Sequence, residues 1–291
     1  MMDLDQWRRE GRYFEWQGQR IFYRDEGAGE ALLCLHGFPT ASWDWHRLWP
    51  ELRAHRRVIA LDFLGYGFSS KPLPHAYSAV EQADIVQALL AHLGVSRLEV
   101  LAHDFGDSVA QELLTRHGEG RAGGFDLRAV CFLNGGLFME AARPRLIQYL
   151  LLGPLGPWLS RRLSFPRFAR SFAAIFGKHT RPSTQELTDF WRLIAYGHGN
   201  RLGHALIQYI PERHRQRDRW VAAMQRTSVP LRLVIGMADP VSGWRIAKRY
   251  RELLPNADVV ELPGIGHYPQ VEAPEAVLAA VWELIGRSER G

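Results

Sequence analysis

The chain has 291 residues, 46% apolar and 23% charged. These are ordinary proportions for a soluble globular protein and rule out a disordered, collagen-like or coiled-coil chain. The length admits one large domain or two smaller ones. The formal net charge of +5 is unevenly spread, because residues 137–228 carry 15 Lys and Arg against 5 Asp and Glu while the rest is net acidic. A solvated arginine-rich surface is the first reading of that block, and peripheral contact with a membrane or another anionic partner is the second. No nucleic-acid partner is expected, since no zinc-finger, RNP or helix-turn-helix pattern accompanies the charge. No run reaches the roughly 18 apolar residues of a bilayer-spanning helix, and Met1–Arg12 lacks the apolar core of a secretory signal. A cytoplasmic enzyme is therefore expected. Cys34 and Cys131 each sit in an apolar run, which predicts buried, reduced thiols.

Short apolar runs alternate with helical patterns, the signature of an α/β fold with a mostly parallel sheet flanked by helices. The runs are Ala31–Leu35, Val58–Leu61, Leu98–Leu101, Ala129–Leu133, Leu231–Ile235 and Val259–Leu262. Strands buried on both faces have this continuous apolar character. Ser78–Leu93 has helical spacing and ends at Gly94, a good C-terminal cap; another helix starts at Val109, and Pro274 opens a last one over Pro274–Ile285. The alternation stops near Gly135 and resumes near Val229. The segment between has no convincing strand but two amphipathic helices, Arg145–Leu152 and Thr184–Tyr196. The organisation read from this is a core over residues 1–136 and 229–291, interrupted by a helical lid over 137–228.

The sharpest chemical signal is Leu98-Glu-Val-Leu-Ala-His-Asp-Phe-Gly-Asp107, a strand running directly into a helix. A nucleophile elbow needs small residues on both sides of the nucleophile, because its tight turn brings backbone atoms together. Ala102 and Gly106 are the small residues, and Asp104 stands in the nucleophile position. The helix dipole favours its ionised form; an ordinary helix-capping aspartate is the competing reading. Upstream, Leu33-Cys-Leu-His-Gly-Phe-Pro39 follows a strand. With it, the backbone N–H groups of Phe38 and Phe105 are the candidate oxyanion-hole donors. Asp239 ends a later strand in Leu233-Val-Ile-Gly-Met-Ala-Asp-Pro240, and His267 lies in the glycine-loosened loop Leu262-Pro-Gly-Ile-Gly-His-Tyr-Pro269. The order nucleophile, acid, histidine is that of the α/β-hydrolase fold.

These motifs together resemble the α/β hydrolases of the aspartate-nucleophile branch, which contains epoxide hydrolases and haloalkane dehalogenases. The matching stretches are Leu35-His-Gly-Phe-Pro-Thr40, Val58-Ile-Ala-Leu-Asp-Phe-Leu-Gly-Tyr-Gly-Phe-Ser69, His103-Asp-Phe-Gly-Asp107 with Val109-Ala-Gln-Glu-Leu-Leu114, Asn134-Gly-Gly136 and His267-Tyr-Pro-Gln270. The resemblance implies a hydrolase whose Asp104 displaces a leaving group at carbon, and whose His267, oriented by Asp239, activates the water that releases the ester. It also implies lid tyrosines that donate a proton to an opening epoxide, and Tyr149 and Tyr209 fall where epoxide hydrolases carry that pair. Haloalkane dehalogenases usually have Trp after the nucleophile and often Asn in the oxyanion loop. Those positions here are Phe105 and Phe38, which favours an epoxide over a halide. Trp43 and Trp45 are expected to line or close the pocket.

The substrate expected is a small apolar electrophile. No cofactor is implied, since the chain has no Gly-x-Gly-x-x-Gly fingerprint, no Walker loop and no metal-ligand spacing. A dehalogenase-like hydrolase is the alternative reaction, and a degenerate hydrolase acting as a binding or regulatory protein is the alternative of another kind.

Overall fold

The computed structural model describes residues 3–289. Its frame is an eight-stranded sheet in the order β1-β2-β4-β3-β5-β6-β7-β8. The strands are β1 (Arg12–Trp16), β2 (Gln19–Glu26), β3 (Ala31–Leu35), β4 (Arg57–Leu61), β5 (Arg97–His103), β6 (Asp126–Leu133), β7 (Leu231–Gly236) and β8 (Asp258–Leu262). Strands β3 to β8 pair in parallel, and β1 and β2 add antiparallel at one edge. The six apolar runs of the sequence are β3 to β8. Alternate residues enter opposite layers: Leu33, Leu35, Val100 and Phe132 pack into one, and Leu32, Cys34, Leu101 and Cys131 into the other. Both cysteines are free and buried, and burial pushes both thiols up.

The hairpin β1–β2 was not anticipated from the sequence. Its turn is the pair Gln17 and Gly18, with φ of 49° and 76°, the two-residue geometry that suits the strand twist. β2 carries charges that hide a buried strand: Arg24 is fully buried, with its guanidinium 4.4 Å from the Trp7 ring centre and bonded to Glu10 at 2.7 Å. Elsewhere the local signals act as expected. Ser78 caps the helix Ala79–His92 by accepting from the Glu81 N–H at 3.0 Å, and Gly94 follows it with φ +65°.

Between β6 and β7 the chain forms no strand among the described residues. It forms helices that include Leu146–Leu152, Gly156–Arg161, Phe165–Ala173, Thr184–Ala195 and Tyr209–Arg226. The longest, Tyr209–Arg226, lies against the helix Phe105–Gly118 that follows β5. Its side chains reach into the core: Glu212 accepts from the Ala79 N–H at 2.7 Å, and Trp220 Nε1 donates to Glu112 Oε2 at 2.8 Å. Arg219 Nη1 donates to the same Glu112 oxygen at 2.5 Å, and Arg116 Nε to the other at 2.8 Å. Burial pushes the Glu112 carboxyl up, but the hydrogen bonds from Arg219, Trp220 and Arg116 outweigh this and hold it below its ordinary value. Part of the basic block is thus matched by core acids. No helix among the described residues is long and apolar enough to cross a membrane.

Glu112 therefore ties the insertion to the core. Glu112→Ala removes an acceptor that is only 2% exposed and leaves the buried Trp220 Nε1 without its partner, while Arg219 keeps Glu119 and Arg116 keeps Asp84. The expected cost is about 1–3 kcal/mol. Thermal and urea unfolding should show that loss, with Glu112→Gln losing less; a variant as stable as the parent would show that the contact is not holding the two parts together.

Candidate active site

The turn from β5 into the helix Phe105–Gly118 is built on steric limits. Asp104 has φ 47° and ψ −102°, a left-handed conformation that costs a non-glycine residue about 1–3 kcal/mol. A side chain at position 106 would place its Cβ 2.2 Å from the Leu35 carbonyl oxygen, and one at position 37 would lie 2.7 Å from His103 Nδ1. Glycine is required at both. The turn lifts the Asp104 carboxylate off the sheet and points it at the C-terminal ends of the neighbouring strands, where ligands bind in open α/β sheets.

Three groups meet that carboxylate. The Phe38 N–H donates to Oδ2 at 3.1 Å. His267 Nε2 lies 4.0 Å from the same oxygen. Arg213 donates through Nη2 to the Asp104 backbone carbonyl at 2.6 Å and reaches Oδ1 at 3.5 Å, while its Nε donates to Ser108 Oγ at 2.6 Å. Phe105 is the first helical residue, so its N–H belongs to the first turn, where the helix itself supplies no acceptor. The oxyanion loop is fixed from behind: His36 donates from Nδ1 to the Gly37 carbonyl at 2.8 Å and accepts the Phe63 N–H at Nε2 at 3.0 Å.

The other ring nitrogen of His267, Nδ1, donates to Asp239 Oδ2 at 2.8 Å. Asp239 is held in turn by Asn134 Nδ2 at 2.9 Å, by the Val241 N–H at 2.7 Å and by the Ser242 hydroxyl. Burial pushes the Asp239 carboxyl up, but the His267 charge and these hydrogen bonds win and lower it to about 2. Burial lowers His267, and the Asp239 charge and hydrogen bond, helped by Asp104 and Glu272, overcome that and raise it to about 9. Asp107, the other acid nearby, is fully buried, and burial keeps its carboxyl well above its usual range. The loop bearing His267 is clamped as well. His103 Nε2 donates to the His267 carbonyl at 2.8 Å, and Glu272 accepts from the N–H groups of Gly266 at 2.8 Å and Tyr268 at 3.0 Å.

Above this floor lies a cavity of about 180 Å³ lined mostly by apolar side chains of the insertion, among them Leu151, Leu159, Leu163, Phe168 and Phe172, with Asp104 and His267 at its base. The structure therefore brings together Asp104, Asp239, His267, Phe38 and Phe105. Tyr209 is buried behind the wall, its ring 5.0 Å from Phe105 and 5.8 Å from Phe38, with its hydroxyl meeting the Gln148 side chain. Tyr149 is elsewhere: it is 56% exposed, and its neighbours Ile147 and Gln148 line the cavity in its place. The helix Leu146–Leu152 buries no residue fully, so its amphipathic pattern did not reveal which side faces inward. Trp43 and Trp45 do not line the cavity. Trp43 stacks on His46 at 3.9 Å, and both indoles are buried.

Sequence reasoning missed four contributors. Arg213 lies one helical turn beyond Tyr209 on the same face, a spacing that could have singled it out. Asn134 follows β6 in the Asn-Gly-Gly stretch beside the site. Tyr66 lines the cavity, is 2% exposed and has no hydrogen-bond partner for its hydroxyl among the described residues. Nothing in the sequence marks His103 as the residue that holds the His267 loop.

A family model described as the alpha/beta hydrolase fold matches residues 30–274. The chain is 46% identical over 293 residues to the mesoderm-specific transcript homolog protein of Bos taurus, covering 97% of this chain and 88% of that one. It is 27% identical over 289 residues to haloalkane dehalogenase 2 of Mycobacterium tuberculosis (strain ATCC 25618 / H37Rv), covering 95% of each. Among solved structures, epoxide hydrolase CorEH without ligand superposes with a TM-score of 0.78 at 19% identity, covering 95% of this chain and 98% of that one.

The geometry predicts how the histidine titrates. The His267 value of about 9 lies above the roughly 6.5 of an unperturbed imidazole. The ion pair's contribution to stability is therefore complete below about pH 6.5 and is lost as pH rises through about 9. Histidine-selective NMR titration should show His267 charged at pH 7 in the parent. In Asp239→Asn the ring remains buried without its main counter-charge, so it should titrate at least two units lower; an unmoved titration would mean that Asp239 does not hold the ring.

Proposed function

The chain belongs to the α/β-hydrolase fold family, and from that premise we propose that it is an aspartate-nucleophile hydrolase that opens epoxides to diols. The observation that carries this reading is the Asp104 carboxylate at the strained elbow, with His267 facing one of its oxygens and Asp239 on the far side of the ring. A carboxylate does not form a useful acyl-enzyme from an ester, because attack there gives an anhydride. At an sp³ carbon it displaces a leaving group and forms an ester of its own.

In this reading Asp104 Oδ1 attacks an epoxide carbon while Oδ2, already held by the Phe38 N–H, becomes the ester carbonyl oxygen. The new ester no longer carries the anion that helps to keep His267 protonated. Loss of that charge lowers the imidazole toward the neutral form needed in a base. His267 Nε2 then takes a proton from water, which attacks the Asp104 carbonyl carbon. The N–H groups of Phe38 and Phe105 stabilise the resulting oxyanion. Collapse breaks the bond between the Asp104 carbon and Oδ1, and His267 returns its proton to the departing oxygen to give the diol. The Asp104 acid group passes its own proton back to the tyrosine that opened the ring, restoring the carboxylate. Arg213 touches the reacting side chain and fixes its backbone, which keeps the nucleophile aimed.

The epoxide oxygen needs a proton donor, and Tyr66 supports this choice of substrate, because it lines the cavity with no hydrogen-bond partner for its hydroxyl among the described residues. It is buried beside the Asp104 charge, as is Tyr209, which lies behind the wall with its hydroxyl on the Gln148 side chain. Tyr268 is also close, but its hydroxyl is already engaged with Thr40 at 3.3 Å. Halide displacement is the second reading, favoured by the similarity to haloalkane dehalogenase 2. Against it, no tryptophan lines the cavity among the described residues.

A panel of epoxides and alkyl halides, with diol and halide release measured, tests the assignment. Asp104→Ala should abolish both activities. The double variant Tyr66→Phe, Tyr209→Phe should lower kcat for epoxides on the order of 10²–10³ at an unchanged melting temperature. It should leave any halide release untouched. Tyr149→Phe should behave as the parent. Unchanged diol formation in the double variant would remove the reason for preferring an epoxide, and activity surviving Asp104→Ala would point to a different nucleophile.

A further inference from the structure

Beside the cavity, the helices Leu146–Leu152 and Gly156–Arg161 present a surface that is both apolar and basic. Residues 143–170 contain six arginines and not one acidic side chain. Across the two helices Leu146–Leu152 and Gly156–Arg161, Leu146 is 74% exposed, Leu155 59%, Tyr149 56% and Trp158 51%, with Ile147 and Leu150 above 40%. The arginines interleave with these apolar groups: Arg143, Arg161, Arg162, Arg167 and Arg170 are exposed, and the Arg162 guanidinium sits 4.4 Å from the Trp158 ring centre.

The contrast with the rest of the insertion is instructive. Arg192, Arg217 and Arg219 are paired with Asp5, Glu140, Glu112 and Glu119, whereas none of the six arginines in 143–170 has a carboxylate partner among the described residues. The unpaired positive charge is therefore concentrated where the apolar side chains are exposed. The same helices turn Leu151 and Leu159 inward to line the cavity, so the outer apolar face is continuous with the wall above Asp104.

We propose that this face docks on an anionic phospholipid surface and delivers the cavity mouth to it. Apolar side chains enter the boundary between headgroups and acyl chains while arginines meet lipid phosphates, the arrangement of an interfacial amphipathic helix. Each basic residue near an anionic surface strengthens partitioning roughly five-fold. A second copy of this chain fits less well, because a self-complementary interface would set arginines from both copies against one another with no acid in the segment to separate them. The proposal does not depend on the reaction at Asp104, and apolar substrates would enter from the membrane without crossing water.

The test is co-sedimentation of the full chain with phosphatidylcholine vesicles and with mixed phosphatidylcholine–phosphatidylglycerol vesicles, alongside light scattering without lipid. The chain should sediment with the mixed vesicles, far less with the neutral ones, and lose binding at high salt. Arg161→Gln with Arg162→Gln should weaken binding roughly twenty-fold, and Leu150→Ser with Trp158→Ser at least ten-fold. All four side chains are exposed, so near-ultraviolet circular dichroism should match the parent. Asp104→Ala should bind as the parent does, which separates this surface from the chemistry. Absence of binding to mixed vesicles, or binding undiminished in both double variants, overturns the proposal. So does a dimer that the Leu150→Ser, Trp158→Ser variant dissociates while the parent ignores lipid.

Discussion

Holding a charged side chain in a left-handed turn, with its carboxylate raised above the ends of a parallel sheet, demands restraint from several directions at once. Asp104 is held by its amide, which donates to the Leu133 carbonyl at 3.2 Å, and by its carbonyl, which accepts from Arg213 at 2.6 Å and from the Asp107 N–H at 3.2 Å. Its carboxylate adds the Phe38 N–H. Strain of this kind persists only where the surroundings over-determine it. The glycines at 37 and 106, the helix start at Phe105 and the buried Arg213 are the surroundings that do so. Remove the turn, and the nearby charges lose their common focus.

The insertion depends on the same point. Arg213 reaches Asp104 from the helix Tyr209–Arg226, and the His267 loop is tied to the insertion by the His267 N–H donating to the Ile175 carbonyl at 2.8 Å. Glu272 adds the Gly177 N–H at 2.7 Å to its bonds within that loop. The helices that roof the cavity are thus fastened to the residues at its floor. The roof is divided in its electrostatics: the long helix is matched to core acids, and the part beside the cavity is left with unmatched arginines and exposed apolar side chains.

Much of this was legible in the sequence, for identifiable reasons. Strands β3 to β8 read clearly because strands covered on both faces are uninterrupted apolar runs. The hairpin β1–β2 did not, since Arg24, Asp25 and Glu26 break the pattern and Arg24 is buried through partners remote in sequence. Asp104, Asp239 and His267 could be picked out because each sits just past a strand, in a loop with its own turn residues and in a fixed order along the chain. Side chains that act from within helices were harder. Arg213 is one of four arginines within seven residues of a single helix, and only packing shows which of them faces the carboxylate. Tyr149 erred for the same reason: a short helix rich in leucine on every side carries no signal for its inward face.

The central claim is that Asp104 itself becomes esterified, and isotopic labelling tests it most directly. A single turnover of an epoxide substrate in ¹⁸O-enriched water, with enzyme in excess, separates attack by the carboxylate from direct attack by water. The account predicts an unlabelled diol, whose new oxygen comes from Asp104, and a peptide containing Asp104 that gains one ¹⁸O atom. Label appearing in the diol of that first turnover, with the Asp104 peptide unchanged, would contradict it.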